Sequence, residues 1–370
     1  MIEIKDKTKC CGCFSCKNIC PQNAISMVED EYGFKYPNIN YNICTNCGLC
    51  EKVCPIINKK QESSENSRAY AAISKNENTR MKSSSGGMFS IIAENIINEG
   101  GIVYGAQFNE KFLVEHSRAE TIEEISKFRG SKYVQSDINK IFKEVKKDLI
   151  QGRKVLFTGT PCQVEGLISF LIKPFDNLYT QDFICHGVPS KKVWEKYLEY
   201  RKKLDNSEPN KINFRNKENK GWNEYQLLFE YNENKKYIDH NEDLFMKAFL
   251  SDIALRDSCY KCEFKKKHRI SDITLADFWG INNVLPEMND EKGTSLIIIN
   301  SEKGNKLLKE IQDKAVIKEV DIECAIKYNK SMIQSATIND NREKFFQNLK
   351  MDNFENLIDR FIEKKWDIPC

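Results

Sequence analysis

Beyond residue 70 the hydrophobic positions alternate between a helical and a strand rhythm. Met88, Ile91, Ile92, Asn95 and Ile96 recur at helical steps after the small-residue run SSSGG and before Gly100 and Gly101. That spacing predicts an amphipathic helix closed by glycine. IVYGAQF follows as a strand, and a second helix over about Asp137 to Gln151 leads into the apolar run KVLFTGT. Another helix, CQVEGLISFLI, and another strand, running into DFICHGVPS, complete the series. Strand, helix and strand joined by short turns predict right-handed βαβ crossovers and a largely parallel sheet. The polar stretch NKKQESSENSRAY at 58–70 reads as an exposed linker, set at residues 61–68. Upstream of it the hydrophobic rhythm gives way to cysteine.

The chain has 370 residues and 15 cysteines, nine of them within the first 54 positions. Cys10, Cys13, Cys16 and Cys20 form C-x2-C-x2-C-x3-C followed by Pro21; Cys44, Cys47, Cys50 and Cys54 repeat it before Pro55. Three thiolates at this spacing can wrap three corners of an Fe4S4 cube, and the proline turns the chain away after the fourth cysteine. Structural zinc sites draw on C-x2-C pairs rather than on such triplets. Cys11 falls outside the ligand register and reads as an unligated thiol beside the cluster. Both runs resemble the bacterial two-cluster ferredoxin module. The resemblance assigns Cys10, Cys13, Cys16 and Cys54 to one cluster and Cys20, Cys44, Cys47 and Cys50 to the other.

Composition narrows the class. Fifteen cysteines without an apparent export signal predict a reducing, cytoplasmic setting in which thiols serve as ligands or nucleophiles rather than disulfides. No apolar run approaches 18 residues, so no membrane span is expected. With 57 basic and 54 acidic residues the net charge is +3, which gives no case for nucleic-acid binding.

The second half places unusual residues at strand ends, where ligands gather in parallel sheets. FTGTPCQ sets Thr158, Gly159, Thr160 and Cys162 on a strand-to-helix turn, and DFICHGVPS sets Cys185, His186 and Gly187 after the next strand. With Cys259 and Cys262 from CYKC, four thiols become available for one further cluster. Cys162 alone also fits a nucleophile at a helix N-terminus, and a lone C-x2-C also fits zinc. His186 reads either as a hydrogen-bonded neighbour of Cys185 or as a catalytic acid–base group. Cys324 and Cys370 stand alone and read as ordinary thiols.

In sequence order, SSSGGMFS, RGSKYVQS, FTGTPCQVEGLISFL, DFICHGVPS, FRNKENKGW and CYKCEFKKKHRISDITLADFWGI resemble the coenzyme F420 hydrogenase/dehydrogenase beta-subunit family. The resemblance covers about residues 1–285. It implies an α/β (α+β) chain with a 2×4Fe-4S ferredoxin domain at 1–60 and an FAD and iron–sulfur domain at 69–285. Residues 286–370 then form a C-terminal extension of unknown role. It further implies non-covalent FAD held by Ser85, Gly86, Gly87, Lys132, Gln135, Thr158, Gly159 and Thr160. Cys162, Cys185, Cys259 and Cys262 become the ligands of a third 4Fe-4S cluster. The implied activity is electron exchange between clusters and FAD, with hydride passing to coenzyme F420 or another small acceptor. Ferredoxin or another redox protein is the expected electron partner. The alternative is a relay subunit feeding a separate catalytic partner subunit.

Overall fold

The structure is a computed structural model that describes residues 1–59 and 67–362. Most of the expected linker, and Cys370, lie outside the described residues.

The N-terminal segment folds as two similar halves. Each cysteine run passes through a left-handed residue, Phe14 (φ 67°) or Gly48 (φ 74°), into a short helix, Ser15–Ile19 or Leu49–Lys52. Between the halves lie β1 (Ile25–Glu29) and β2 (Lys35–Ile39), paired antiparallel with Ile25 opposite Ile39.

The remaining strands are β3 (Arg68–Ser74), β4 (Ile102–Phe108), β5 (Val114–Ala119), β6 (Val155–Thr158), β7 (Leu178–Phe183), β8 (Lys211–Asn216), β9 (Gln226–Glu230), β10 (Lys235–Asp239), β11 (Ile273–Asp277), β12 (Ser295–Ile299) and β13 (Ala315–Val320). Eight form one sheet in the order β13-β3-β12-β11-β7-β6-β4-β5, and β10-β9-β8 form a small antiparallel sheet. The stretch β4-β6-β7-β11 is parallel, as the strand–helix–strand pattern predicts; every other pairing in the large sheet is antiparallel. The sheet is therefore mixed rather than largely parallel. The extra strands come from segments with no crossover helix pattern to announce them.

The boundary at residue 285 does not hold either. β12, every residue of it buried, runs between β3 and β11, and β13 extends the same sheet. An apolar run such as SLIII belongs inside a sheet covered on both faces. Helices Arg342–Asn348 and Phe354–Phe361 bury Phe345, Phe354 and Leu357 in the aromatic core shared with Trp194, Phe214 and Phe229. The described residues beyond 285 are thus part of the domain's framework.

The expected helices form at Met88–Asn98, Ile141–Ile150 and Pro161–Leu171. The second starts four residues later than its pattern suggests. Asp137 instead exchanges backbone hydrogen bonds with the β5 strand, giving to Val114 and accepting from His116. The first helix packs with Leu156 and Ile297 on one face of the sheet. The other two pack with Phe157 and Tyr104 on the opposite face. The carboxyl ends of β6 and β7 remain open between these layers.

Candidate functional site

The cysteines assigned to different runs meet across the duplication. Cys10, Cys13, Cys16 and Cys54 line one small cavity, and Cys20, Cys44, Cys47 and Cys50 line another. The fourth cysteine of each run therefore faces the triplet of the other. Cys54 is buried, and burial pushes its thiol up to about 11; Cys47 is exposed.

The first cysteine loop is seated on the β6–β7 unit. Ser15 Oγ donates to the Gly166 carbonyl at 2.8 Å within helix Pro161–Leu171. A Cβ on Gly166 would stand 2.8 Å from the Cys13 Cβ, so glycine is what lets the helix and loop approach. Cys11 fills the space between them. Its buried thiol packs against Cys13 and Cys162, and interaction with it holds both partner thiols below their ordinary range.

Cys162 opens helix Pro161–Leu171, which is capped by a reciprocal Thr160–Gln163 box with Pro161 in the first turn. Thr160 Oγ1 stands 3.1 Å from the Cys162 sulfur. Cys185 follows β7, and Cys259 and Cys262 lie on and just after the 3-10 turn Asp257–Lys261. These four interact electrostatically: Cys162 with Cys185, Cys259 and Cys262, and Cys185 with the last two. Burial pushes Cys185 up to about 12 and Cys259 higher still. Among the described residues no three His, Cys, Asp or Glu groups surround a single-ion site. A four-iron cube takes one thiolate per iron, so its four sulfurs do not converge on one point.

A cavity of about 960 Å³ opens beside this group, at the carboxyl ends of β6 and β7. Cys185 is in its wall, as are Ser85, Gly87, Lys132, Thr158, Gly159, Thr160 and His186. Two expected contacts are not. Gly86 faces away: a Cβ there would meet the Ala72 carbonyl oxygen at 2.4 Å and the Ser295 nitrogen at 2.7 Å. Its smallness serves packing against β3 and β12. Gln135 instead turns to the cysteine loop, its Nε2 donating to the Cys11 carbonyl and its Oε1 accepting from Arg256.

The cavity is strongly cationic. Arg129, Lys132, Arg215, Lys247, Lys327 and Lys330 line it, with Asp277 the acid among its wall residues. Among the described residues Lys132 Nζ donates only to the carbonyls of Phe128, Arg129 and Gly130, and burial pushes its amine down to about 7. Beside it Ser131 donates from its backbone nitrogen to Ser84 Oγ at 2.8 Å, joining two hydroxyl-rich turns. Behind the serine turn, Lys217 Nζ donates to the carbonyls of Arg80, Ser85 and Lys292. Small hydroxyl residues and an amine without a carboxylate partner suit phosphate groups.

Tyr133, Tyr225, Phe249 and Trp279 add aromatic rings to the wall. Trp279 stacks on Trp222 at 4.9 Å, Tyr133 on Phe249 at 4.9 Å, and the Arg215 guanidinium lies 3.9 Å from the Tyr225 ring. Arg215 also pairs with Asp277 at 3.1 Å. His186 is fixed by Asp252 at 2.5 Å and meets Ser331 at 3.3 Å. His116 is sandwiched between Ser136 and the Thr158 carbonyl, and burial pushes it down to about 4, leaving it neutral. Arg215, Lys217, Asp277 and Trp279 escaped assignment although they lie in the FRNKENKGW and DFWG runs; buried charge at fixed motif positions was the signal available. The donor set and the ring-lined wall fit a dinucleotide such as FAD.

Comparison with known proteins follows the same division. Residues 9–56 match the 4Fe-4S dicluster domain. Residues 69–143 match the N-terminal part, and 152–324 the C-terminal part, of the coenzyme F420 hydrogenase/dehydrogenase beta subunit. A subunit of the F420H2 dehydrogenase of Methanosarcina mazei is 25% identical over 175 residues, which is 44% of this chain and 49% of that protein. The PorD subunit of pyruvate synthase from Thermotoga maritima is 40% identical over 55 residues, 15% of this chain and 52% of that one. The chain thus spans about half the length of these curated relatives. A chain of the F420-reducing nickel–iron hydrogenase complex from Methanosarcina barkeri aligns with a TM-score of 0.49 at 17% identity, covering 82% of this chain and 96% of that one. No helix among the described residues is long and apolar enough to cross a membrane. The match on both sides of the cavity, together with the cysteine domain, identifies the chain as a member of the coenzyme F420 hydrogenase/dehydrogenase beta-subunit family.

Proposed function

We propose that the chain is an FAD-containing iron–sulfur oxidoreductase that exchanges electrons with a redox protein and hydride with coenzyme F420 or another small organic partner. One observation carries this reading: the thiol groups form a continuous path into the cavity. The set Cys20, Cys44, Cys47 and Cys50 includes the exposed Cys47. Cys13 in the next set reaches Cys162 through Cys11, and Cys185 of the third set is in the cavity wall. Each set is assigned one 4Fe-4S cluster, with a ferredoxin-like partner meeting the exposed end. FAD bound in the cavity would supply the conversion between two-electron hydride chemistry and single-electron transfer. Lys132, Ser84 and Ser85 are assigned to its phosphates, and Thr158 to Thr160 to its approach along the β6 turn. His186, oriented by Asp252, is placed to hold a proton where the organic partner enters.

A relay subunit is the second reading, favoured because relatives of both halves are named as subunits. The test is anaerobic purification with iron, sulfide and flavin counts, then reduced F420 or NAD(P)H offered to the isolated chain with an artificial acceptor. About twelve irons, one flavin and turnover support the oxidoreductase. Iron at that level without flavin or turnover supports the relay, and zinc in its place refutes both.

A further inference from the structure

Among the described residues six arginines are buried, and five of them pair with a carboxylate: Arg80 with Asp290, Arg201 with Asp205, Arg215 with Asp277, Arg269 with Asp182 and Arg342 with Asp257. Arg256, with no exposed surface at all, has no carboxylate among its hydrogen-bond partners in the described residues. Its guanidinium donates to the Cys10 carbonyl at 2.8 Å, the Lys35 carbonyl at 3.0 Å and Gln135 Oε1 at 3.2 Å, and points Nη2 at the Cys10 sulfur at 3.6 Å. It lies over the Tyr36 ring at 4.3 Å. Its backbone serves the other thiol set, since the Cys259 nitrogen donates to the Arg256 carbonyl at 2.8 Å. Its charge acts on the thiols of Cys10 and Cys162.

A buried cation needs a compensating anion, and carbonyl oxygens supply only part of it. The local chain is shaped to admit this one. Gly12, at φ +68°, is where a Cβ would stand 2.9 Å from Arg256 Nη1 and 3.0 Å from Gln135 Nε2. We propose that Arg256 is a positioning residue whose charge is balanced by the anionic clusters on either side, and that it holds up the reduction potential of the cluster bound through Cys10. The inference rests on the cluster assignment given above. The physical basis is that a cation and N–H donors at a cluster sulfur favour the more negative, reduced state. The hydrogen bonds of Arg256 reach none of Cys20, Cys44, Cys47 and Cys50, so the outer cluster is an internal control.

The test is an EPR-monitored redox titration of the full chain, with iron counts, for wild type, Arg256→Gln and Arg256→Lys. The cluster of Cys10, Cys13, Cys16 and Cys54 should move to lower potential in Arg256→Gln, while that of Cys20, Cys44, Cys47 and Cys50 stays in place. Arg256→Lys should move it less in the same direction, because one ammonium keeps the charge but cannot serve all four acceptors in the planar fork geometry. If Arg256→Gln fails to load iron, the lysine variant decides: a lowered potential supports the role and a wild-type value overturns it. A fully loaded glutamine variant with unmoved potentials also overturns it. A wild type lacking the Cys10 cluster would instead remove the cluster assignment itself, and this inference with it.

Discussion

Lys132 makes the cavity at the ends of β6 and β7 sensitive to pH in a direction that follows from its surroundings. Burial lowers its amine to about 7, so its charge is lost as pH rises through the neutral range. If the protonated amine is the form that receives an FAD phosphate, apparent affinity scales with the protonated fraction. Affinity should then fall about fivefold from pH 7 to 8 and about tenfold more from pH 8 to 9, roughly 1.4 kcal/mol per pH unit at the upper end. Binding in that window takes up a proton. His116, neutral with its imidazole at about 4, does not titrate there. Lys217 does, at about 7, from behind the serine turn. The Lys132→Met variant therefore isolates the contribution. Flavin fluorescence titrations of flavin-free protein at pH 6, 7, 8 and 9 should show the slope in wild type and lose most of it in the variant. Equal slopes in the two proteins, or affinity that rises with pH, would refute the role given to Lys132.

Three further outcomes are expected. Gly86→Ala should destabilise the flavin-free fold by about 1–3 kcal/mol in chemical denaturation, because the added methyl meets backbone of β3 and β12; an unchanged midpoint would show that the sheet yields there. Serine at Cys162, Cys185, Cys259 or Cys262 should each remove the same four or so irons while the N-terminal signals persist; loss confined to one variant would mean the four do not share a cluster. Cys20→Ser should give the spectroscopic loss seen for Cys44→Ser, and Cys54→Ser that seen for Cys10→Ser; the reverse grouping would contradict the crossing of the two runs.

How much of the fold is legible in the sequence follows the range of each signal. Cysteine spacing and the helix at Met88–Asn98 are local patterns, and both can be read within a dozen residues. The turns at Thr158 and Cys185 are legible because strand–helix–strand order fixes which strand ends border the cavity. Gly86 and Gln135 mislead for a shared reason. A small or polar residue in a motif can face a ligand or a neighbouring segment, and only the partner's position decides which. β12 escapes because a five-residue apolar run has no periodicity to distinguish strand from buried helix. Arg256 carries no signal at all, being one arginine among many until burial and the missing carboxylate set it apart.

The position of β3 has a consequence for how the chain reaches this state during synthesis. Residues 68–74 pair on one side with residues 295–299 and on the other with residues 315–320. A nascent chain therefore carries β3 with both edges bare until more than two hundred further residues have left the ribosome. The parallel strands β4, β6 and β7 can join in order as they emerge, because their partners are near in sequence. The last two pairings close the largest loops and belong to the slow end of folding. An interrupted translation product ending before residue 295 would display an unpaired apolar strand beside cysteine-rich loops, a species prone to aggregate and to misload metal. Expression at low temperature with ample iron supply should raise the soluble, loaded fraction by giving that final strand insertion time to occur.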